Sequence, residues 1–303
     1  MTVQPCVDRP LADRACRGAA GLAVVLFALW LAGCSSAARP SLNPPQQTST
    51  TLSQSAARAL GRGDLAQARK LYEGALAAAE SVEDFELAGA ALLNLALVHS
   101  RAGELAAGHA RVDRILAAPQ RYGAALQARA AARKALLYLD APDLDAALRW
   151  ADAAQAACPA PCELNAMLAD LRAHVALQRG DAASAAQFAA RAAEVAAQAE
   201  QQAEQANALR LLGRARSHGG QTAEAAAALA QALAIDQRLG LPERVALDLL
   251  YAGENEQRRS QPAAAREYYE RALVVYQAAG QPKAAESMRA RIASIGETAP
   301  NKP

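Results

Sequence analysis

The chain has 303 residues, 52% of them hydrophobic and only 4% aromatic, and a net charge of +2. That is enough apolar material for a sizeable core, so composition excludes a wholly disordered chain. The near-neutral charge excludes a basic field that would draw the chain to nucleic acid.

Alanine dominates. It is the best helix former and strand-favouring aromatics are scarce, so an all-α protein packed through short side chains is expected.

At the N-terminus, Arg14 and Arg17 precede an apolar run over residues 18–30, which ends in Leu31-Ala32-Gly33-Cys34. The run falls short of the ~20 residues needed to span a bilayer. This arrangement resembles a lipoprotein signal peptide with its lipobox. The resemblance implies that residues 1–33 are removed, that the Cys34 thiol takes a diacylglyceryl group, and that the new amino terminus is acylated, with palmitate among the usual chains. An uncleaved membrane anchor and a chance cysteine after an ordinary secretory signal are the competing readings.

Ser35 and Ser36 follow, where similar lipoproteins kept in the inner membrane carry aspartate. The expected location is therefore the inner leaflet of the outer membrane, facing the periplasm, with the periplasmic side of the inner membrane as the alternative. Residues 34–51 are rich in Ser, Thr, Pro and Gln and read as the lipidated cysteine and a disordered tether. Extended, such a tether reaches roughly 50 Å at ~3.3 Å per residue.

From about Leu52 the apolar residues recur at helical spacing, and a longer repeat emerges. Gly63-Asp64, Gly103-Glu104, Pro142-Asp143, Gly180-Asp181, Gly220-Gln221 and Ser260-Gln261 interrupt the pattern at intervals of 40, 39, 38, 40 and 40 residues. Each pair reads as a turn, one residue stopping a helix and the next capping or beginning another.

Seven residues before the turns stand Ala56, Ala96, Ala135, Ala173, Gly213 and Gly253; five after stand Ala68, Gly108, Ala147, Ala185, Ala225 and Ala265. Twelve after, Ala75, Ala154, Ala192, Ala232 and Ala272 share the slot with Ile115. Small side chains at fixed register let antiparallel helices approach closely. The bulkier slot nine after the turn holds Tyr72, Val112, Leu229 and Tyr269, but Ala151 and Ala189 in the third and fourth repeats.

This pattern resembles the tetratricopeptide repeat, with a period longer than that family's usual thirty-four. The resemblance implies a right-handed α-solenoid of about six helical hairpins over residues 52–296. Pro119, Pro159 with Pro161, Gly240 with Pro242, and Gly280 with Pro282 punctuate the loops between repeats. Residues 283–295 read as a C-terminal capping helix with Ala285, Met288, Ile292 and Ile295 on one face, and residues 297–303 as a disordered tail. An extended coiled coil is the alternative fold, and breaks at every turn argue against it.

Once Cys6 and Cys16 are cleaved away and Cys34 is lipidated, Cys158 and Cys162 remain, in the loop between the third and fourth repeats. An even pair in an exported compartment is read as a local disulfide, with a redox role as the weaker alternative. His99, His109, His174 and His218 are scattered, and no metal motif, phosphate-cradling loop or nucleophile signature is present. No catalytic, metal or cofactor site is expected, and the chain is not read as an enzyme.

The tetratricopeptide resemblance implies that the first helices of the repeats line a concave groove that takes protein or peptide partners. Carried onto this sequence, the groove has an apolar middle of Leu93, Leu97, Leu136, Leu139 and Leu177, and a basic end of Arg210, Arg214, His218 and Arg258, with Asn207 one turn from Arg210. An amphipathic or extended segment with an acidic end would suit it. The bland alternative makes the leucines core and the arginines solvated surface. The function so implied is an outer-membrane lipoprotein scaffold in pilus or secretin assembly, outer-membrane protein assembly, or cell-wall enzyme control. A periplasmic receptor for a small molecule or glycan is the second reading.

Overall fold

A computed structural model describes residues 42–297. The expected signal segment, Cys34, the first part of the tether and the tail from residue 298 lie outside the described residues.

The described residues form thirteen helices and no strand. They are α1 (Pro44–Gly61), α2 (Leu65–Glu80), α3 (Phe85–Arg101), α4 (Leu105–Leu116), α5 (Ala124–Asp140), α6 (Leu144–Ala157) and α7 (Asn165–Gln178), followed by α8 (Ala182–Gln198), α9 (Gln202–His218), α10 (Thr222–Leu239), α11 (Pro242–Arg258), α12 (Pro262–Ala278) and α13 (Pro282–Glu297). They pair as six hairpins, α1–α2 to α11–α12, with α13 packed on α12 as the cap.

The first helix corrects the expected tether boundary: α1 begins at Pro44, so residues 44–51 are helical. Pro44 and Pro45 sit in the first turn, where a missing N–H costs nothing. The Thr48 and Thr50 hydroxyls donate to the Pro44 and Gln46 carbonyls. Ser49 is buried and its Oγ donates to the Ala75 carbonyl at 2.9 Å. Packing against α2 outweighs the weak helix propensity of this polar stretch.

The turns explain the hairpins. At the fourth, Gly180 adopts φ 78, a left-handed conformation that glycine enters without a Cβ penalty, and the Gly180 N–H closes on the Leu177 carbonyl. The next residue starts the return helix. Asp64, Asp143 and Asp181 accept from the backbone N–H three residues on at 2.9–3.0 Å. Glu104, Gln221 and Gln261 make no such bond, their side chains being one methylene longer.

The small slots are the core. The alanines in all three registers are fully buried, as is Ile115. Glycine appears where a neighbour needs the volume: a Cβ on Gly213 would lie 2.5 Å from Leu229 Cγ, and one on Gly253 would lie 2.4 Å from the Tyr269 ring. The third and fourth hairpins pair alanine with alanine instead, Ala135 with Ala151 and Ala173 with Ala189, and fill the remaining space with Leu164, Leu168, Leu171 and Val175.

Successive first helices also touch each other, α1 with α3 and so on to α9 with α11, whereas successive second helices do not among the described residues. The first helices therefore lie on the inner, concave side. The thinnest junction between hairpins is α6 with α7, and α5 with α7 is the thinnest contact between first helices. Cys158 and Cys162 form a disulfide there, with Cα atoms 5.5 Å apart.

Candidate functional site on the concave face

Because first helices stack at one repeat period, residues about forty apart in sequence meet on the concave side. Ser100 donates to Asp140, Asn207 to Asp170, and Arg244 to the Ala203 carbonyl, across offsets of 40, 37 and 41 residues. Two clefts open among these helices at the thin middle junction.

The larger, about 400 Å³, is lined from α5, α7, α9 and α11. Its apolar wall includes Leu136, Leu139, Met167 and Leu171; its polar side chains are Asp140, Asp170, His174, Glu204, Asn207 and Arg244. The smaller, about 300 Å³, lies between α3, α5 and α7 and is lined by Ala90, Leu93, Asn94, Arg129, Arg133, Leu136, Leu164 and Met167. Leu136 and Met167 belong to both and form the wall between them.

The ten residues assigned to the groove from sequence do not converge. Leu93, Leu136, Leu139 and Asn207 line the clefts. Leu97 and Leu177 instead pack half-buried against the core. His218 and Arg258 lie in a separate open depression of about 500 Å³ with Glu254, Gln257 and Arg291, and the His218 Nε2 and Arg258 Nη2 atoms are 3.4 Å apart. The Arg214 guanidinium sits 4.4 Å over the Tyr251 ring, and its Nε is buried without a hydrogen-bond partner.

Arg210 requires correction. It is 5% exposed and reaches no groove surface. Its Nε donates to Asp248 Oδ1 at 2.6 Å, its Nη1 to Asn207 Oδ1 at 2.8 Å, and its Nη2 to Asp236 Oδ2. Both aspartates are fully buried. An arginine taken for a surface cation is the centre of a buried network joining α9 to α10 and α11, and through Asn207 to Asp170 on α7.

Burial sets the charges. It pushes the Asp170 carboxyl up to about 7, against the opposing pull of Arg210, Asn207 and Arg244. Asp248 is likewise pushed up to about 7, and Asp236 is raised in the same way. His174 is held down to about 4 by burial, reinforced by Arg214 and Arg210, so it is neutral at physiological pH. Burial also lowers the Arg133 guanidinium. With His174 neutral and Asp170 pushed toward its protonated form, the charges left in the larger cleft are Asp140 and Glu204 against Arg244.

Asp170, Arg133, Met167, Glu204 and Arg244 were not singled out from sequence. A signal existed for part of this: Asp248 lies one period from Arg210 and Asn207 one period from Asp170, complementary polar residues inside otherwise apolar helical stretches. Among the described residues, no group of three or more His, Cys, Asp or Glu could hold a metal ion, and no helix is long and apolar enough to cross a membrane.

No family model matches this chain, and no curated protein matches it in sequence. Solved structures do match in fold. A Rap protein complexed with competence and sporulation factor is 13% identical, with a TM-score of 0.57, covering 83% of this chain and 73% of its own. The Cut9–Hcn1 hetero-tetramer of the APC/C is 13% identical, with a TM-score of 0.60, over 81% of this chain and 43% of the other. A signal transduction ATPase with a tetratricopeptide repeat sensor, from Pyrococcus horikoshii, is 12% identical with a TM-score of 0.62. There the match covers 80% of this chain and 37% of that one, so this chain spans less than half the length of the last two. Hairpins of forty-residue period and these likenesses together give the chain a tetratricopeptide-like helical repeat fold.

Proposed function

We propose that this chain is a non-enzymatic scaffold that holds a segment of a partner protein against its first helices. The observation that carries this reading is the pair of adjoining clefts on the concave side, sharing Leu136 and Met167 and lined by an apolar floor with polar groups set into it. Ligand sites combine an apolar surface with a few placed polar groups in this way. Two clefts divided by one wall suit an extended or helical segment better than a single compact molecule. The Rap protein supports the reading, since a related fold there is complexed with a second factor.

The lipobox-like Leu31-Ala32-Gly33-Cys34 supports anchoring through lipid on Cys34, at the inner leaflet of the outer membrane. The partner is then a component of an envelope assembly: a pilus or secretin, an outer-membrane protein assembly, or a cell-wall enzyme.

The test is affinity capture with the detergent-solubilised full-length protein, compared with Leu136→Glu/Met167→Glu, together with the intact mass of the mature chain. A partner lost in the variant, and acyl mass on Cys34, are the expected results. Capture that ignores both substitutions would overturn the scaffold reading, and an unmodified Cys34 would overturn the anchor.

A further inference from the structure

The two clefts differ in charge, and the difference has a direction. In the smaller one, Arg129 is committed: it pairs with Glu163 at 2.6 Å, with Glu86 3.9 Å away. Arg133 is not. Among the described residues it makes no hydrogen bond and no ion pair, and Asp140 acts on it only at a distance. It lies half-buried among Ala90, Leu93, Leu136, Leu164 and Met167. A half-buried guanidinium with no carboxylate of its own can receive an incoming anion in bidentate geometry, with the apolar lining on one side limiting competition from water.

Across the shared wall the situation reverses. Asp170 lines the larger cleft; its Oδ2 accepts from Asn207, while its Oδ1 is buried with no partner. The nearby guanidiniums are already engaged, Arg210 by Asp236, Asp248 and Asn207, and Arg244 by the Ala203 carbonyl. Glu204 and Asp140 add negative charge at the rim, and His174 contributes none near neutrality. A basic group placed over Asp170 would give Oδ1 the partner it lacks and draw a carboxyl that burial holds near 7 into its ionised form.

We infer that the partner segment carries an acidic group and a basic group flanking an apolar residue: the acid enters the cleft of Arg133, the apolar residue lies on Leu136 and Met167, and the base enters the cleft of Asp170. This rests on the scaffold reading above and sharpens it, because two opposite charges either side of one wall fix which way the segment runs. The acidic group is received by Arg133 in the middle of the chain and not by Arg210, which is buried.

Random twelve-residue peptides displayed on phage, selected on the detergent-solubilised full-length protein, test this directly. Enriched peptides are expected to carry an acid and a base on opposite sides of an apolar residue. Against a synthetic copy of one such peptide, Arg133→Glu should weaken binding about tenfold or more, and replacing the peptide's acid by lysine should restore it, as expected for a charge-assisted contact. Asp170→Asn should weaken the same peptide about tenfold and leave its acidic position unaffected. Circular dichroism melting of both variants separates loss of recognition from loss of fold, and the lysine swap is a gain that no unfolded variant can give.

Enriched peptides with no charge pattern, or with one that neither substitution alters, would overturn the inference while leaving a peptide-binding groove. No enrichment at all would remove the groove and the inference together.

Discussion

The middle and the C-terminal end of the repeat array are packed by different means. Hairpins three and four set alanine against alanine, meet across the thinnest junction, and bear the clefts. Hairpins five and six set glycine against a bulky partner, Gly213 against Leu229 and Gly253 against Tyr269, and are joined by a buried arginine held between two aspartates. Interlocking volume and a buried ion pair both specify one arrangement; flat alanine contacts specify closeness but leave room at the seams. The two adjoining clefts that share Leu136 and Met167 are found where the packing is least committed.

The largest effect that would break this contrast is at Arg210. Arg210→Ala leaves Asp236 and Asp248 buried without their cation and should cost about 3–5 kcal/mol in urea denaturation. A loss under about 1 kcal/mol would mean the network does not fasten the C-terminal hairpins. For the same reason Arg210→Glu would report on folding and not on recognition.

Gly253→Ala comes next. The new methyl has nowhere to go against the Tyr269 ring and should cost about 3 kcal/mol, the upper end for overpacking. In a Tyr269→Leu background the penalty should shrink. An equal penalty in both backgrounds would show that the glycine serves something other than the ring.

Acidity sharpens the comparison further. Asp170 and Asp248, pushed up to about 7, keep protons in the folded state that the unfolded chain releases near pH 4. Stability therefore falls as pH rises from about 4 through 7. His174, held down to about 4, acts in the opposite sense between pH 4 and about 6.5 and offsets part of the fall. The denaturation midpoint should be higher near pH 5.5 than near pH 8, and Asp170→Asn should flatten the difference. A midpoint that climbs steadily from pH 5.5 to 8 would contradict the assignment of the buried carboxyls.

The smallest effect is expected at the disulfide. Cys158 and Cys162 close a very short loop, so Cys158→Ser/Cys162→Ser should cost about 2 kcal/mol at most. Faster hydrogen exchange should be confined to the end of α6 and the start of α7; exchange that accelerates along the whole array would give the bridge a global role.

Much of this architecture could be read from the chain, and the reason is visible in particular residues. Ala56, Ala68 and Ala75 are required by distances within a hairpin, so their size alone reveals the register. Gly213 and Gly253 stand where Leu229 and Tyr269 need space, and that pairing too lies within one repeat. The site was less legible. Whether Arg210 faces a groove or a core depends on where Asp236 and Asp248 lie, and one residue turns a helix face by about 100°. Arg133 gave no signal, because what distinguishes it is a partner it lacks. The start of α1 was hidden for a related reason: residues 44–51 are polar, and what holds them in the helix is tertiary, Ser49 meeting Ala75 and Gln46 meeting Asp84.

The thin seam between α6 and α7 has a mechanical consequence. In a row of units that each lean only on their neighbours, compliance is a series property, and the weakest contact takes most of any applied strain. A molecule lying across Leu136 and Met167 would bear on α5 and α7 together and act as a splint on that weak point. Occupancy would then be felt along the array as stiffness, with no helix having to change its fold.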